Sequence, residues 1–534
     1  MITALEVDNF KGIGRPIRIE LRPITLLFGR NSAGKSTILH ALHYAHEILS
    51  RRNLDPDATH HGGDVVDLGG FRSFVHAQDT SRVVRLRFEL DLTKHELPEL
   101  PMLESAADAD EAEELQSLEL FDEGLSTEIR SGWVELQVRW SGARKAPTLR
   151  TYEVGMNGEV IGRIESNDDG AQVDLFPNLA HPLFAYDGRI PEEERPSREE
   201  VASRWISDTP GSEAEYWRGH RLPVGGLARS SLPRWGELLA LDYDEQDDFY
   251  AYPFREFRYR VSTLMVGLGQ LLKDEVAQLR YVGPMRDVLA RTYASPRYLE
   301  PHRWASGLGA WDRMHTLGPE FVAGVSDWLS DSEKLDTGYG LALRSFIELP
   351  EDSALWLSIE RGTFLDMWDD LAAEFQSLEK RTAFRLVDPT SRIAVHPADV
   401  GVGVSQVVPV VVAALDPDRP SLTAIEQPEL HIHPKVQVGL GDLFASQIGD
   451  GTRRFLLETH SEHLMLRLLR RIEETHSGDL PPGAPALRPD QVAVVFIEQI
   501  EGEVKATQLR IDESGEFVDR WPHGFFEERA EELL

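Results

Sequence analysis

The chain has 534 residues, of which 41% are hydrophobic, 8% aromatic and 27% charged, which is the composition of a folded globular protein and not of a disordered or fibrous one. It contains no cysteine, so disulfides, thiolate metal sites, iron–sulfur clusters and a cysteine nucleophile are excluded. The formal net charge of −34 opposes non-specific binding to nucleic acid or anionic lipid, although it permits a local basic groove.

The first part of the chain is predicted to form strands around one helix. Alternating apolar residues predict strands at Ile2 to Val7 and Ile17 to Leu21, and a continuous apolar run predicts a buried strand at Ile24 to Phe28. Apolar residues at helical spacing then predict a helix from Thr37 to Leu49. Antiparallel strands are expected further along, at residues 83–92, 132–142 and 148–164, with a turn at Asn157-Gly158.

The rest of the chain changes from irregular and helical to alternating strands and helices. Residues 186–236 are rich in Pro, Gly and charge and are predicted to be irregular, and helices are expected over about 250–280, 310–330 and 364–380. From residue 383 we expect a hairpin, the segment Gly401 to Leu415, strand Leu422 to Ile425, a helix from Pro434, strand Arg454 to Leu457, a helix at Glu462 to Ile472, and a last strand at Val492 to Ile497 before a C-terminal tail.

Neither a signal peptide nor a membrane helix is expected. The N-terminus lacks a basic start followed by an apolar core, and the longest apolar run, Val407 to Leu415, is much shorter than the about 18 residues that a membrane helix needs. We therefore expect a cytoplasmic protein that does not contact a membrane.

A phosphate-binding loop stands between a predicted strand and a predicted helix. Gly29 to Ser36 spell G-R-N-S-A-G-K-S and match the pattern G-x-x-x-x-G-K-[ST] at every fixed position. The glycines let successive backbone N–H groups face a phosphate, Lys35 would reach the β- and γ-phosphates, and the Ser36 hydroxyl would bind Mg²⁺. The sequence therefore predicts a site for a nucleoside triphosphate with Mg²⁺.

The acidic group that such a loop requires follows another predicted strand. The apolar run from Leu422 ends at Glu426, whose carboxylate would orient Mg²⁺ and water, and Pro428 stops the strand. A further strand leads to His460, whose imidazole would reach a γ-phosphate. Three separated segments thus predict one site.

Together these motifs resemble the ABC-type P-loop ATPases of the AAA family that are related to SMC and OLD-family proteins. These families carry N-F-[KR], G-x-N-x-x-G-K-S, I-E-E-P-E-x-H-L-H-P and T-H-S, which correspond here to Asn9-Phe10-Lys11, the P-loop, Ile425 to Pro434 and Thr459-His460-Ser461. Val400 to Gln406 and Trp521 to Phe526 resemble one subgroup, whose C-terminal region has no assigned activity. The resemblance covers residues 1–80 and 380–534 and, between them, mainly Tyr281 to Arg286.

The resemblance implies ATP and Mg²⁺ as cofactors and a role for each matching residue. Glu426 and Ser36 would hold Mg²⁺, and His460 would be the switch histidine. The nucleotide would be bound by Gly29, Asn31, Ser32, Ala33, Gly34, Lys35, Ser36 and Thr37. The signature that reaches a dimer partner's nucleotide would contain Gly403, Ser405 and Gln406, and the loop facing the partner would contain His431 and His433, which we do not interpret as metal ligands.

Further assignments concern residues around this set. His76 or Gln78 lies where a residue that contacts Mg²⁺ is expected, with an ordinary polar loop residue as the alternative. Lys11 is placed near the α-phosphate or the base. Arg286, after a Gly-Pro turn, would contact a phosphate or pair with a carboxylate, and we favour the carboxylate.

One position departs from the family. Two carboxylates in a row are usual there, the second acting as base toward the attacking water, and here the second position is Gln427. A glutamine can orient water but cannot accept its proton, so hydrolysis should be slow. The nearest remaining candidates for the base are Glu429 and His460.

The implied fold class is α/β: an ABC-type P-loop ATPase domain with a mixed sheet, helices and an antiparallel β-subdomain, and a large, mostly helical insertion. We assign residues 1–170 to the N-terminal half of the ATPase domain, 171–380 to the insertion, and 381–534 to the C-terminal half with its tail. The middle lacks the sustained heptads of SMC arms, and no nuclease-type acidic cluster follows His460.

Two functions are open at this stage. The first is an ABC-type ATPase that binds and slowly hydrolyses ATP in a homodimer and gates a separate effector, such as a nuclease, in antiviral defence or DNA surveillance. The second is a nucleotide-binding scaffold or sensor with negligible hydrolysis. Gln427 and the acidic surface favour the scaffold, whereas Glu426 and His460 favour the enzyme.

Two charged segments have alternative interpretations. Glu96 to Glu128 is acidic and has no Lys or Arg, so it is either a solvated loop or a docking segment for a basic partner. Trp217 to Trp235 carries four arginines and no acid. It either binds single-stranded nucleic acid or contacts the chain's own acidic surface, which we favour.

Overall fold

The computed structural model describes most of the chain. The described residues are 1–58, 63, 65–101, 121, 125, 128–185, 197, 221–227, 230–241, 251–296, 298, 300–362, 372, 375–376, 378, 380–418, 420–449, 451 and 453–522. The helix predicted over 364–380 and most of the acidic segment Glu96 to Glu128 lie outside them.

Strands and helices are numbered here in chain order. The strands are β1 (Ile2–Asp8), β2 (Ile17–Glu20), β3 (Ile24–Phe28), β4 (Val83–Asp91), β5 (Ser131–Ser141), β6 (Ala146–Met156), β7 (Glu159–Ser166), β8 (Val173–Pro177), β9 (Leu222–Pro223), β10 (Arg280–Val282), β11 (Gly340–Ile347), β12 (Lys380–Val387), β13 (Ala394–Val395), β14 (Leu422–Glu426), β15 (Arg454–Glu458), β16 (Val492–Ile500) and β17 (Glu503–Leu509). The helices are α1 (Lys35–Arg51), α2 (Phe71–Phe74), α3 (Ala251–Ser262), α4 (Leu268–Ala277), α5 (His302–Ala305), α6 (Leu308–Leu317), α7 (Pro319–Ser330), α8 (Ala354–Glu360), α9 (Val402–Leu415), α10 (Pro434–Gln447) and α11 (Glu462–Ser477).

The strands form three sheets. An eight-stranded antiparallel sheet has the order β2-β1-β4-β5-β6-β7-β8-β9. A six-stranded sheet has the order β10-β14-β15-β3-β16-β17, and its neighbours are parallel except for β16 and β17. A small antiparallel sheet has the order β11-β12-β13.

Burial explains why the two large sheets differ in sequence pattern. Every residue of β3, β14 and β15 is buried, as expected for parallel strands covered on both faces. In β4 buried and half-buried residues alternate, because one face of an antiparallel sheet packs on the core. Strand β3 separates two cores, since Leu27 packs in the core with α1 and Phe28 in the core with α9, α10 and α11.

The mixed α/β fold and the antiparallel subdomain are confirmed. The predicted helix over 310–330 is two helices, because Gly318 adopts φ 81° between α6 and α7. The predicted C-terminal tail begins instead with strand β17, which returns along β16 after a tight turn at Glu501-Gly502, where both residues have positive φ.

Strand β10 was not predicted, and it forms an edge of the parallel sheet although it lies within residues 171–380. The domain division near residues 170 and 380 stays a prediction. Among the described residues, none of the helices combines the length and the apolarity needed to span a bilayer.

The described part of the basic segment Trp217 to Trp235 contacts the chain itself. Arg221 pairs with Asp174 at 2.8 Å, and Arg234 lies 3.5 Å from Glu237. The indole of Trp235 donates to a backbone carbonyl of α1 at 2.8 Å. These contacts favour the interpretation in which the segment meets the chain's own surface.

Candidate functional site

The three predicted motifs meet at one edge of the parallel sheet. Strands β3, β14 and β15 run in the same direction, so the P-loop after Phe28, Glu426 at the end of β14 and Glu458 at the end of β15 lie at their carboxyl ends. Ligands of open α/β sheets bind beyond these ends. The strand order of this sheet therefore brings the three motifs together at the candidate site.

The P-loop backbone requires its glycines. Gly29 has φ 149°, and a Cβ there would lie 2.0 Å from the carbonyl oxygen of Ile497 in β16. Gly34 has φ 102°, and a Cβ there would lie 2.7 Å from Val504 of β17. The hairpin of β16 and β17 thus packs against both glycines of the P-loop. The tip of the P-loop, residues 30–32, is exposed.

Lys35 lies at the start of α1 and is only 3% exposed. Its ammonium donates to the carbonyl oxygens of Gly29 and Arg30, both at 3.0 Å, and lies 3.2 Å from Nε2 of His460. Burial lowers the pKa of Lys35, and Glu458 opposes that shift. Burial, and then Lys35, lower the pKa of His460 to about 4, so its imidazole is neutral near pH 7 and can accept from the ammonium.

Two carboxylates converge on the P-loop serine. Glu426 and Glu458 are paired in the register of β14 and β15, and the Ser36 Oγ lies 3.2 Å from Oε2 of the first and 2.8 Å from Oε2 of the second. The hydroxyl of Tyr281, in strand β10, donates a hydrogen bond to the other carboxylate oxygen of Glu426 at 2.7 Å. Burial, and then Glu426, raise the pKa of Glu458 to about 7.

These oxygen donors fit Mg²⁺. Magnesium in nucleotide sites is usually bound by one or two carboxylates together with the phosphates of the substrate. Within the described part of the chain, no three His, Asp or Glu side chains form a group that could hold a metal ion by themselves.

Glu458 was missed in the sequence. A signal was present, because Arg454 to Leu457 was predicted as a strand and Glu458 is the charged residue that ends it, directly before Thr459-His460. A carboxylate at the end of a buried parallel strand beside the P-loop strand must face the same edge as Glu426.

Glu429 holds the segment that carries His460. It accepts the Thr459 hydroxyl at 2.8 Å and the backbone N–H of His460 at 2.6 Å. Burial raises the pKa of Glu429 above its usual range. Gln427 adopts φ 45°, and its backbone N–H donates to the carbonyl oxygen of Glu458 at 2.7 Å. Both residues lie in the loop between β14 and α10, and their hydrogen bonds attach this loop to the end of β15 and to the two residues after it.

Arg286 stabilises the same loop from the other side. Its guanidinium donates to the carbonyl oxygens of Glu426 at 2.5 Å, Gln427 at 3.1 Å and Gln406 at 3.3 Å, and the Gln406 side chain returns a bond to the Arg286 carbonyl at 2.5 Å. The favoured pairing with a carboxylate is not what these contacts show. Burial lowers the pKa of Arg286 to about 10, so it stays charged near pH 7.

Lys11 and His76 contact each other beside α1, and Gln78 lies two residues further along the chain. The Lys11 ammonium lies 2.5 Å from Nδ1 of His40, and the His76 ring bonds the Lys11 carbonyl at 2.9 Å. Gln78 is exposed and adopts φ 57°. None of these contacts involves Ser36 or Glu426, and the assigned roles stay predictions.

The signature segment begins α9, and much of it faces inward. Ser405 is 1% exposed and donates to the carbonyl oxygen of Pro397 at 2.9 Å. A Cβ on Gly403 would lie 2.3 Å from the carbonyl oxygen of His431. Gly401 and Val402 are exposed at the helix start, which has no side-chain cap, beside a cavity of about 550 Å³ lined also by residues 431–433.

Family models match both halves of this site. Residues 1–88, with the P-loop, match a family described as "AAA ATPase domain", and residues 317–466, with Glu426 and His460, match one described as "AAA domain, putative AbiEii toxin, Type IV TA system". The two segments that carry the site are thus similar to AAA-family P-loop ATPases. Residues 487–534 match a "Protein of unknown function (DUF3696)", which fits the predicted subgroup. No sequence among the curated proteins matches this chain.

Solved structures of SMC heads resemble the chain loosely. They are an SmcHead bound to the C-winged helix domain of ScpA (10% identity, 96% of this chain and 98% of that chain, TM-score 0.40), an Smc head domain with an extended coiled coil bound to the C-terminal domain of ScpA derived from Pyrococcus furiosus (10%, 95% and 96%, 0.35), and the SMC head domain from Thermotoga maritima (8%, 96% and 99%, 0.35). At these TM-scores the likeness carries no argument, and the fold rests on the sheets and helices themselves.

Proposed function

We propose that the chain binds Mg²⁺-ATP at the P-loop and hydrolyses it slowly. The observation that carries this proposal is the convergence of Lys35, Ser36, Glu426 and His460 at one sheet edge, although they come from three distant segments. When bound, Mg²⁺ would neutralise charge on the phosphates. Lys35 would exchange its two carbonyl contacts for the β- and γ-phosphates, and neutral His460 would contact the γ-phosphate.

Slow hydrolysis follows from Gln427. General-base catalysis contributes on the order of 10²–10⁴-fold, and an amide in that position forgoes it. Glu429 is a poor replacement, because both of its oxygens are already occupied by Thr459 and by the His460 backbone. Turnover should therefore lie well below the typical enzyme median of about 10 s⁻¹.

We propose further that two copies associate around ATP. The start of α9 offers uncapped backbone N–H groups on an exposed surface at Gly401 and Val402, and such a helix end attracts phosphate. A partner's γ-phosphate placed there would make association depend on ATP. Because Ser405 and Gln406 face inward, the contact would rest on the helix start.

The dimer would gate a separate effector, such as a nuclease, in antiviral defence or DNA surveillance. The toxin and TA system named in the description of one matching family support a defence role. The alternative, a nucleotide-binding scaffold or sensor with negligible hydrolysis, is favoured by Gln427 and by the acidic surface.

Phosphate release by the full chain separates the enzyme from the scaffold. We expect steady turnover that requires Mg²⁺ and that stops in Lys35→Met, which keeps the aliphatic stem and removes the charge. Lys334→Met is the matched control, because Lys334 pairs with Asp327 on the surface, away from the P-loop segment. Turnover that is equal in wild type and Lys35→Met would come from a contaminant and would reject the enzyme, and ATP binding without turnover would favour the scaffold.

A further inference from the structure

Glu458 has no role in the site as it was predicted, yet it occupies a central position. Strand β15 lies between the P-loop strand β3 and strand β14, so its last residue projects from the middle of the catalytic edge. Glu458 is 6% exposed, and it contacts the P-loop serine more closely than Glu426 does.

The distances around Ser36 match those between ligands of one small ion. Magnesium takes oxygen ligands at about 2.0–2.1 Å in octahedral geometry, so neighbouring ligand oxygens lie about 2.9 Å apart. The Ser36 Oγ lies 2.8 Å from a carboxylate oxygen of Glu458 and 3.2 Å from one of Glu426. Each carboxylate oxygen therefore lies at about the distance from the Ser36 Oγ that neighbouring ligands of such an ion have.

The charges point in the same direction. The cation that faces Glu458 is Lys35, whose ammonium lies 3.7 Å from Oε1. The same ammonium is hydrogen-bonded to two carbonyl oxygens of the P-loop and to His460. Once Lys35 turns to the phosphates, the two carboxylates would face each other in a buried site. A divalent cation between them would remove that repulsion.

We propose that Glu458 is a second carboxylate ligand of the magnesium ion that accompanies ATP, beside Ser36 and Glu426. This inference rests on the proposed function, since the ion in question is the one carried by the nucleotide. It assigns to the end of β15 a ligand in addition to the acid that ends β14.

The test measures the affinity for Mn²⁺ in the presence of a non-hydrolysable ATP analogue. The concentration of free Mn²⁺ is read from its electron paramagnetic resonance signal. Glu458→Gln keeps the shape and removes the charge. Loss of a residue that only supports a ligand costs about 10–100-fold in metal affinity, so loss of a ligand should weaken Mn²⁺ binding at least about tenfold. Glu474→Gln is the matched control, because Glu474 is equally buried but pairs with Arg470 and Arg471.

The outcomes separate the inference from the proposed function. If the wild type binds the analogue and Glu458→Gln has the same Mn²⁺ affinity as the wild type, the inference is overturned and the proposed function stands. This result is expected if Glu458 acts only as a base or as an ion-pair partner of Lys35. A wild-type chain that binds no analogue at saturating Mn²⁺ rejects both. If Glu458→Gln does not fold, Glu458→Asp, which retracts the carboxylate by one methylene, should weaken Mn²⁺ binding, and unchanged affinity there would equally overturn the inference.

Discussion

We expect Arg286 to stabilise the loop that begins at Glu426, the acidic residue assigned to Mg²⁺. Its buried guanidinium joins the carbonyls of Glu426 and Gln427 to the start of α9. Hydrogen bonds to a charged donor contribute about 1.5–3 kcal/mol each, and substitution also removes the cost of burying the guanidinium. With two bonds to the loop, we expect Arg286→Met to lower the free energy of unfolding by about 2–4 kcal/mol. Arg286→Lys should lose about half of that, because a single ammonium cannot contact both the loop carbonyls and the Gln406 carbonyl, which two separate guanidinium nitrogens reach.

The assay is urea unfolding, with the free energy taken from the midpoint at unchanged slope. Arg291→Lys is the matched control, because Arg291 pairs with Asp399 on the surface, and its midpoint should equal that of the wild type. ATP turnover should fall in both Arg286 variants, since Glu426 loses its position. Midpoints and turnover that match the control in Arg286→Met would refute the reasoning.

Three other changes test the site. Gln427→Glu supplies the missing base and should raise turnover at least tenfold, measured by phosphate release; unchanged turnover would place the base elsewhere. Val402→Arg, at a residue that is 45% exposed, should abolish ATP-dependent association in light scattering while ATP still binds; a dimer that persists would contradict the proposed interface. Glu429→Gln replaces the charged acceptor of the Thr459 hydroxyl and of the His460 N–H with a neutral amide and should lower both the melting temperature and turnover, whereas Thr459→Ser, which keeps the hydroxyl and its bonds to Glu429 and to the Ser461 N–H, should have a smaller effect. Equal effects of these last two variants would show that Glu429 does not hold the His460 segment.

The sequence was sufficient for features that depend on local pattern. The buried strands β3, β14 and β15 were recognisable because parallel strands covered on both faces are continuously apolar. The P-loop was recognisable because its glycines are required by the backbone, as the close approach of Ile497 to Gly29 shows.

Features that depend on contacts between distant segments were not recognisable. The place of Glu458 beside Glu426 follows from strand order, which no local pattern encodes. Arg286 satisfies carbonyls of a loop that lies about 140 residues away, so its partners could not be read from its neighbours. The short strand β10 has three residues and no alternation, and its pairing with β14 alone defines it.

The most direct test of the account is the affinity of the full chain for ATP in the presence of Mg²⁺, measured by equilibrium dialysis for wild type and Lys35→Met. The account predicts that wild type binds ATP and that the variant binds about 10–150-fold more weakly, the equivalent of the 1.5–3 kcal/mol that a charged hydrogen bond contributes. An equal affinity of the two proteins, with the Lys334→Met control also unchanged, would contradict the account, because ATP would then bind without the P-loop lysine.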